Sequence, residues 1–312
     1  MTKVAVIGAG NVGATLAHVL SQRDVASSVV LVDVVEGMPQ GKALDIRESA
    51  PLQDYDTEVT GTNNVEEGVA GADVVVMTAG LARKPGMDRM DLLKKNLEIV
   101  AGAMKAVKAK APNAVVVMVT NPLDVMTFTA LRTTGFPRER VVGMAGVLDS
   151  ARLRAFIAME LDVSVLDVSA MVLGGHGDTM VPLPRFSTVN GVPITEMMEP
   201  AAIDRLADRT RKGGGEIVAL LKTGSAYYAP ATSAAQMVEA ILKDRGHLLP
   251  ACVALEGEFG EKDICFGVPV ILGKGGVRRI VELKLTEPEK AMLKKSAAEV
   301  RKGIDEVKTL LG

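Results

Sequence analysis

Three histidines occur in this chain, His18, His176 and His247, and only one stands where an imidazole can do chemistry. His18 falls inside an apolar helical pattern and His247 beside a turn, positions that suit packing or surface. His176 lies in Gly174-Gly175-His176-Gly177-Asp178, just past an apolar run. The glycines leave its ring accessible and let the backbone approach a ligand, so a proton donor and acceptor near neutral pH is the chemistry on offer. Asp149 and Arg152, three apart at the start of a helical stretch, project from neighbouring positions on one face. Spacing alone equally describes an exposed ion pair worth about a few tenths of a kcal/mol. The segment Ala79-Gly80-Leu81-Ala82-Arg83-Lys84-Pro85-Gly86-Met87-Asp88-Arg89 sets basic residues around a Pro-Gly turn. Lys84 reads as solvent-exposed charge, and Arg83 and Arg89 either as that or as ligands. Gly80 and Gly86 offer hinge points for a loop closing over a small molecule.

A second constellation concerns phosphate. Gly8-Ala9-Gly10-Asn11-Val12-Gly13 satisfies G-x-G-x-x-G, follows an apolar run and opens a helical pattern, and Asp33 ends the next run 20 residues after Gly13. That is the full context of a dinucleotide fingerprint. Gly8 permits a tight turn, Gly10 lets the backbone approach a pyrophosphate, and Gly13 allows close packing, with the phosphates on the helix N-terminus. Asp33 would accept from ribose hydroxyls and repel a 2′-phosphate, so NAD is favoured over NADP. The alternative for Asp33 is a turn residue at a strand end. Thr78-Ala79-Gly80 and Thr120-Asn121-Pro122 end two further strands on the same carboxyl edge.

The elements that must position these groups change character along the chain. Val4 to Ile7, Val29 to Val32, Val74 to Met77, Val115 to Val119 and Val141 to Met144 are near-continuous apolar runs, as strands buried on both faces should be. Helix-length segments, notably Asn11 to Arg23 and Asp88 to Lys110, separate them. The fold class expected is α/β, a doubly wound parallel sheet of the Rossmann kind over 1–145, followed by an α+β substrate domain with antiparallel strands over 146–312. In the second part a helix (Asp149 to Leu161) leads to an extended run, Val165 to Leu173, with further strands around Val181 to Val189 and Val268 to Leu285. Thr286 and Glu289 form a capping box with Pro288 in the first turn. It opens a helix with Leu293, Ala297, Val300, Ile304, Val307 and Leu311 on one stripe, to be buried in its own domain or on a neighbouring subunit.

Composition removes other classes. With 36 basic against 38 acidic residues and aromatics at 3%, the chain has neither the field nor the stacking surfaces to hold nucleic acid, and no field for an anionic membrane. No apolar run reaches the ~20 residues that cross a bilayer, and MTKVAVIGAG is not a signal peptide. A cytoplasmic location is expected. Cys252 and Cys265 are too few for a disulfide framework and lack the partners of a metal site, so both read as buried thiols.

Taken in order, GAGNVG, LVD, the TAG-x-x-RKPGM-x-R loop, VTNP, LDSAR, GGHGD and GSAYYAP resemble the lactate/malate dehydrogenase family, in its malate-using branch, through most of the chain. The resemblance implies NAD-dependent interconversion of (S)-malate and oxaloacetate. It makes His176 the proton carrier and Asp149 its orienting carboxylate, and gives Arg152 the substrate's C1 carboxylate through a two-pronged pair. Arg89 would polarise the carbonyl, and Asn121 would bond near the carbonyl and the nicotinamide. Cofactor contacts fall on Gly8, Gly10, Asn11, Val12, Gly13, Asp33, Thr78, Ala79, Gly80, Asn96, Val119 and Asn121. Arg83 stands where lactate enzymes have Gln and would pair with the second carboxylate of a four-carbon diacid. Ala226 stands where lactate enzymes tend to have Thr. The chain starts almost at its first strand, without the N-terminal arm of vertebrate lactate dehydrogenases, leaving a homodimer or homotetramer as the expected assembly. Two rivals differ from this expectation: an enzyme using pyruvate, and a dinucleotide-binding sensor that has lost catalysis.

Overall fold

Valine runs without polar interruption can satisfy their backbones only inside a sheet covered on both faces, and these do so. In the computed structural model, which describes residues 1–81 and 89–311 apart from the side chains of Arg89 and Leu311, the first half comprises β1 (Lys3–Ile7), α1 (Asn11–Gln22), β2 (Ser28–Val32), α2 (Met38–Gln53), β3 (Glu58–Thr62), α3 (Val65–Val69), β4 (Val74–Met77), α4 (Arg89–Lys110), β5 (Val115–Met118), α5 (Leu123–Thr134), β6 (Val141–Gly143) and α6 (Gly146–Leu161). There follow β7 (Val168–Ser169), β8 (Val172–Leu173), β9 (Val181–Pro182), β10 (Thr188–Val189), β11 (Val192–Pro193), α7 (Pro200–Leu221), α8 (Tyr228–Leu242), β12 (His247–Glu256), β13 (Lys262–Gly273), β14 (Gly276–Ile280) and α9 (Glu287–Leu311). Residues 82–88, Arg83 among them, and the Arg89 side chain lie outside the described residues.

Strands β3-β2-β1-β4-β5-β6 lie side by side and parallel, and β12, β13 and β14 continue the same sheet antiparallel beyond β6. The order reverses between β1 and β4, so a crevice opens beyond their carboxyl ends, where sheets of this kind take their ligands. Val4, Val6, Val29, Leu31, Val74 to Met77 and Val116 to Met118 form the inaccessible centre of the core. The expected parallel sheet and antiparallel second half are both present.

A separate smaller core, built from Leu153, Ile157, Val168, Val172, Met180, Ile194 and Leu206 among others, sits where α6 and α7 meet the short strands. Here the sequence expectations need correction. Val165 to Leu173 is not one strand, because the Ser164 side chain accepts the Leu166 N–H and bends Val165–Asp167 into a 3-10 turn before β7 and β8. Val181 to Val189 is likewise split, by the Pro184–Phe186 turn. Gly275 and Gly276, both at positive φ, reverse the chain inside the run expected to begin at Val268, separating β13 from β14. The capping box forms as expected, with Glu289 Oε2 accepting the Thr286 N–H at 2.7 Å. The stripe from Leu293 to Val307 packs α9 on α5 and β13 of its own chain.

One ion pair ties the turn before β6 to the β12–β13 hairpin. Arg138 grips Glu258 with two nitrogens, Nη2 at 2.9 Å from Oε1 and Nη1 at 3.3 Å from Oε2, and Oε2 also accepts the Glu256 N–H at 2.7 Å. Burial works against the carboxylate, yet these contacts outweigh it and bring its pKa down to about 2. A depressed carboxyl stabilises the fold above its unfolded value near 4.5 and loses that contribution as pH falls toward 2. Glu258→Gln is therefore expected to lower unfolding free energy at pH 7 by about 1–3 kcal/mol. Urea melts at pH 7 and pH 3 check this: the deficit should shrink at the lower pH, and an undiminished one would rule out the ion pair as its source.

Candidate active site

Among the described residues, His176, Arg152, Asn121 and Val12 of the glycine loop converge on one cavity at the carboxyl edge of the sheet. A cavity of about 470 Å³ is lined by Val12, Thr78, Gly80, Asn96, Val119 and Asn121 on the parallel-sheet side, and by Arg152 and His176 on the other. Ser225 and Ala226, before α8, close part of its wall, with Met144, Leu148 and Val218 as apolar surface. The glycine loop and Asp33 adjoin it along the crevice.

Asp149 lies in the first turn of α6 with its side chain 2% exposed, and a carboxylate there is favoured by the helix dipole. Its Oδ2 is 2.8 Å from His176 Nδ1, and its Oδ1 accepts from Arg152 Nη1 at 3.3 Å. The pair that spacing alone would assign to the surface is thus buried and shared with the histidine. With Nδ1–H donated to Asp149, the other ring nitrogen, Nε2, is the one left to gain and lose a proton. Burial disfavours the imidazolium, but the charge and hydrogen bond of Asp149, with a further contribution from Asp124, overcome it and hold the His176 pKa above its ordinary value against the opposing charge of Arg152. Arg152 is only partly committed: its Nε is buried with no partner among the described residues. An anion entering the cavity meets a guanidinium with donors to spare.

The phosphate loop fits a dinucleotide. Gly8 has φ +105°, and a Cβ there would lie 2.6 Å from the Ala79 nitrogen, while one on Gly13 would lie 1.8 Å from the Gly8 oxygen. Both positions exclude any side chain. A Cβ on Gly10 would meet nothing within 4 Å, leaving room for a phosphate group. Helix α1 begins there at exposed Asn11, with no side-chain cap and no acid in its first turn, so its N–H groups remain available to an anion. Asp33 accepts the Ala9 N–H at 2.7 Å and the Val35 N–H at 3.0 Å. Each carboxylate oxygen retains a lone pair for a ribose hydroxyl.

Other positions have structural duties as well. Thr78 Oγ1 donates to the backbone of the glycine loop, at 3.0 Å to the Gly8 oxygen, and Ala79 N–H bonds Ile7. Asn96 is 2% exposed, and its amide braces two loops by accepting Leu81 N–H at 2.8 Å and donating to the Asn121 oxygen at 2.9 Å. His18 is part-buried in α1 and His247 exposed on β12; Cys252 and Cys265 are both free and buried.

Several site residues escaped the sequence reading. Asp124, in the first turn of α5, is buried and its Oδ2 accepts the His176 N–H at 2.8 Å. Ser296 of α9 accepts the Gly175 N–H at 3.0 Å. Lys42 of α2 donates to the Ala9 oxygen at 2.7 Å, and Arg211 of α7 lines the cavity. An acid in a helix whose one other charged residue is Arg132 was a usable signal for Asp124; the other three carry none.

Comparison with known proteins gives the family. Residues 2–143 match the family described as lactate/malate dehydrogenase, NAD binding domain, and residues 146–311 that described as lactate/malate dehydrogenase, alpha/beta C-terminal domain. A malate dehydrogenase of Roseiflexus sp. (strain RS-1) is 53% identical over 308 residues, covering 99% of both chains. The structure of malate dehydrogenase from Salinibacter ruber superposes with a TM-score of 0.95 at 52% identity, covering 99% of this chain and 98% of that one. A Cryptosporidium parvum lactate dehydrogenase complexed with lactic acid and NAD superposes with a TM-score of 0.93 at 42% identity over 97% of each chain. Backbone similarity alone thus leaves the choice of 2-hydroxy acid to side chains.

Proposed function

The chain belongs to the lactate/malate dehydrogenase family, and on that premise we propose that it interconverts (S)-malate and oxaloacetate with NAD. The observation that carries the chemistry is the chain Arg152–Asp149–His176, its central carboxylate buried, opening on a cavity shared with the dinucleotide crevice.

NAD would be held by the Gly8–Gly13 loop and Asp33 and, when bound, would supply or accept the hydride at the substrate's C2. The chain's own residues handle charge and protons. Arg152 holds the C1 carboxylate on its spare donors and so orients C2. His176 enters the reduction protonated, and its Nε2–H, the ring N–H not engaged by Asp149, would give its proton to the carbonyl oxygen, which becomes the hydroxyl. In the oxidation the neutral ring removes that proton. Asp149 keeps Nδ1–H engaged throughout, fixing the tautomer and favouring the imidazolium. Asn121, at the cavity wall, bonds near the carbonyl, and Arg89, assigned from its place in the motif, stabilises charge developing on oxygen. Arg83 takes the far carboxylate of the diacid, the assignment that separates malate from lactate.

Residues 1–145 are proposed as the dinucleotide-binding domain and 146–312 as the substrate and catalytic domain, the cavity between them being lined from both. A homodimer or homotetramer is proposed on the exposed apolar side chains Leu44 and Leu52 of α2 and Leu220 and Leu221 of α7. No described helix is long and apolar enough to cross a membrane, and a cytoplasmic location is proposed on the two unpaired thiols.

Absorbance in the NADH band on adding oxaloacetate tests the reading. Steady consumption with NADH, and much slower consumption with NADPH, is expected. Binding of NADH without consumption would point instead to a sensor.

A further inference from the structure

We infer that Asp124 is the positioning residue of His176, pinning the histidine's own backbone and matching the charge of its protonated ring, an inference that rests on His176 being the proton carrier. Three consecutive N–H groups hold the segment that presents the ring. Gly174 donates to the Gly267 oxygen of β13 at 2.8 Å, Gly175 to Ser296 Oγ of α9 at 3.0 Å, and His176 to Asp124 Oδ2 of α5 at 2.8 Å. The first two pins are neutral. Only the third is a carboxyl, and its Oδ1 is buried with no hydrogen-bond partner among the described residues.

A hydroxyl or an amide would accept one N–H as well as a carboxylate does. Burying a carboxylate with an oxygen to spare is costly unless opposite charge faces it. The groups facing Asp124 are His176 from the loop after β8, Asp149 from α6, and the thiols of Cys252 on β12 and Cys265 on β13. Burial and the acid together push Cys252 well above the ordinary thiol range, so it stays neutral. Arg152 completes the set by facing His176.

Two buried carboxylates, Asp124 and Asp149, therefore share a cluster with the part-buried Arg152 guanidinium and His176 imidazole. It is electrically balanced only while His176 carries its second proton, the form that serves reduction. When the ring becomes neutral, one negative charge is left over, and Asp124, with its lone oxygen, is where that excess is least compensated. Burial is the largest influence on Asp124 and raises its pKa on balance, so the carboxylate form depends on what opposes burial: the His176 N–H first, then the charge of His176 and the Cys252 thiol. The Asp124 carboxylate is anchored on the His176 backbone N–H at 2.8 Å, and its charge and that of the protonated ring favour each other.

Asp124→Asn keeps an oxygen for the N–H and removes the charge. With three histidines in the chain, imidazole NMR resonances are few, and His176→Asn identifies the one from His176. In Asp124→Asn the His176 titration is expected to fall by about half to one pH unit. The pH limbs for oxaloacetate reduction and malate oxidation should move down by the same amount. A variant whose titration and limbs coincide with those of the unaltered enzyme would show Asp124 to be a neutral hook and overturn the inference. If Asp124→Asn does not fold, aspartate labelled with ¹³C at the carboxyl, compared with and without His176→Asn, decides the matter. Two carboxyl signals, those of Asp124 and Asp149, should respond; a response from Asp149 alone would overturn the inference. Should the limbs of the unaltered enzyme fail to follow His176 at all, the proton-relay reading fails first and takes this inference with it. If they follow His176 and Asp124→Asn leaves them in place, only this inference fails.

Discussion

His176→Asn is expected to lower kcat for oxaloacetate reduction by about 10³-fold or more, the scale on which a positioned acid–base group contributes, while NADH affinity is unchanged. The reason is geometric. His176 is bonded to Asp149 through Nδ1 and lines the cavity beside Arg152, whereas the dinucleotide's phosphates and ribose are assigned to Gly8, Gly10, Gly13 and Asp33, none of which hydrogen-bonds it. Fluorescence titration with NADH and single-turnover absorbance measure the two quantities separately. A variant retaining more than about a tenth of the normal rate would show that the proton comes from elsewhere.

The second large effect concerns substrate choice. Oxaloacetate is expected to exceed pyruvate in kcat/KM by about a thousandfold or more, because a polar site built for a missing group rejects by roughly 10⁴. Arg83 carries this expectation, since a guanidinium enclosed without its carboxylate costs about 1–3 kcal/mol or more. Arg83→Gln should move the preference toward pyruvate, chiefly by losing activity with oxaloacetate. Competition assays with both 2-oxo acids check it. A ratio that does not move would mean that Arg83 never contacts the diacid, and another cation, with Arg211 on the cavity wall as the first candidate, would have to take its place.

The fold was most legible where burial on both faces writes itself as uninterrupted valine: β1, β2, β4, β5 and β6 all appear as apolar runs. The edge strand β3 was not seen, because EVTGT alternates and is half exposed, which a polar loop also does. Strand β12 was hidden by Pro250, a residue that argues against a strand, although it pairs opposite Pro269 in the hairpin. The short strands of the smaller core are two residues each, too brief for any period to register.

At the site, the residues carrying chemistry were found because glycine spacing and a shortage of histidines mark them locally. Burial of Asp149 and its bond to a ring 27 positions away could not be read from a helical spacing that fits a surface pair equally well. Asp124 and Ser296 were missed for the same reason. Each meets the His176 segment only through the packing of α5 and α9, at separations of 52 and 121 positions, and local sequence does not encode such meetings.

The most direct test of the proton relay is kcat/KM measured against pH in both directions, in parallel with His176→Asn. One imidazole must be charged to give its proton to oxaloacetate and neutral to take one from malate. Because the Asp149 contact holds that ring's pKa above its ordinary 6.5, reduction should decline and oxidation rise as pH increases through that raised range, and the opposition should vanish in the variant. Profiles that rise and fall together, or an opposition that survives loss of the imidazole, would contradict the account.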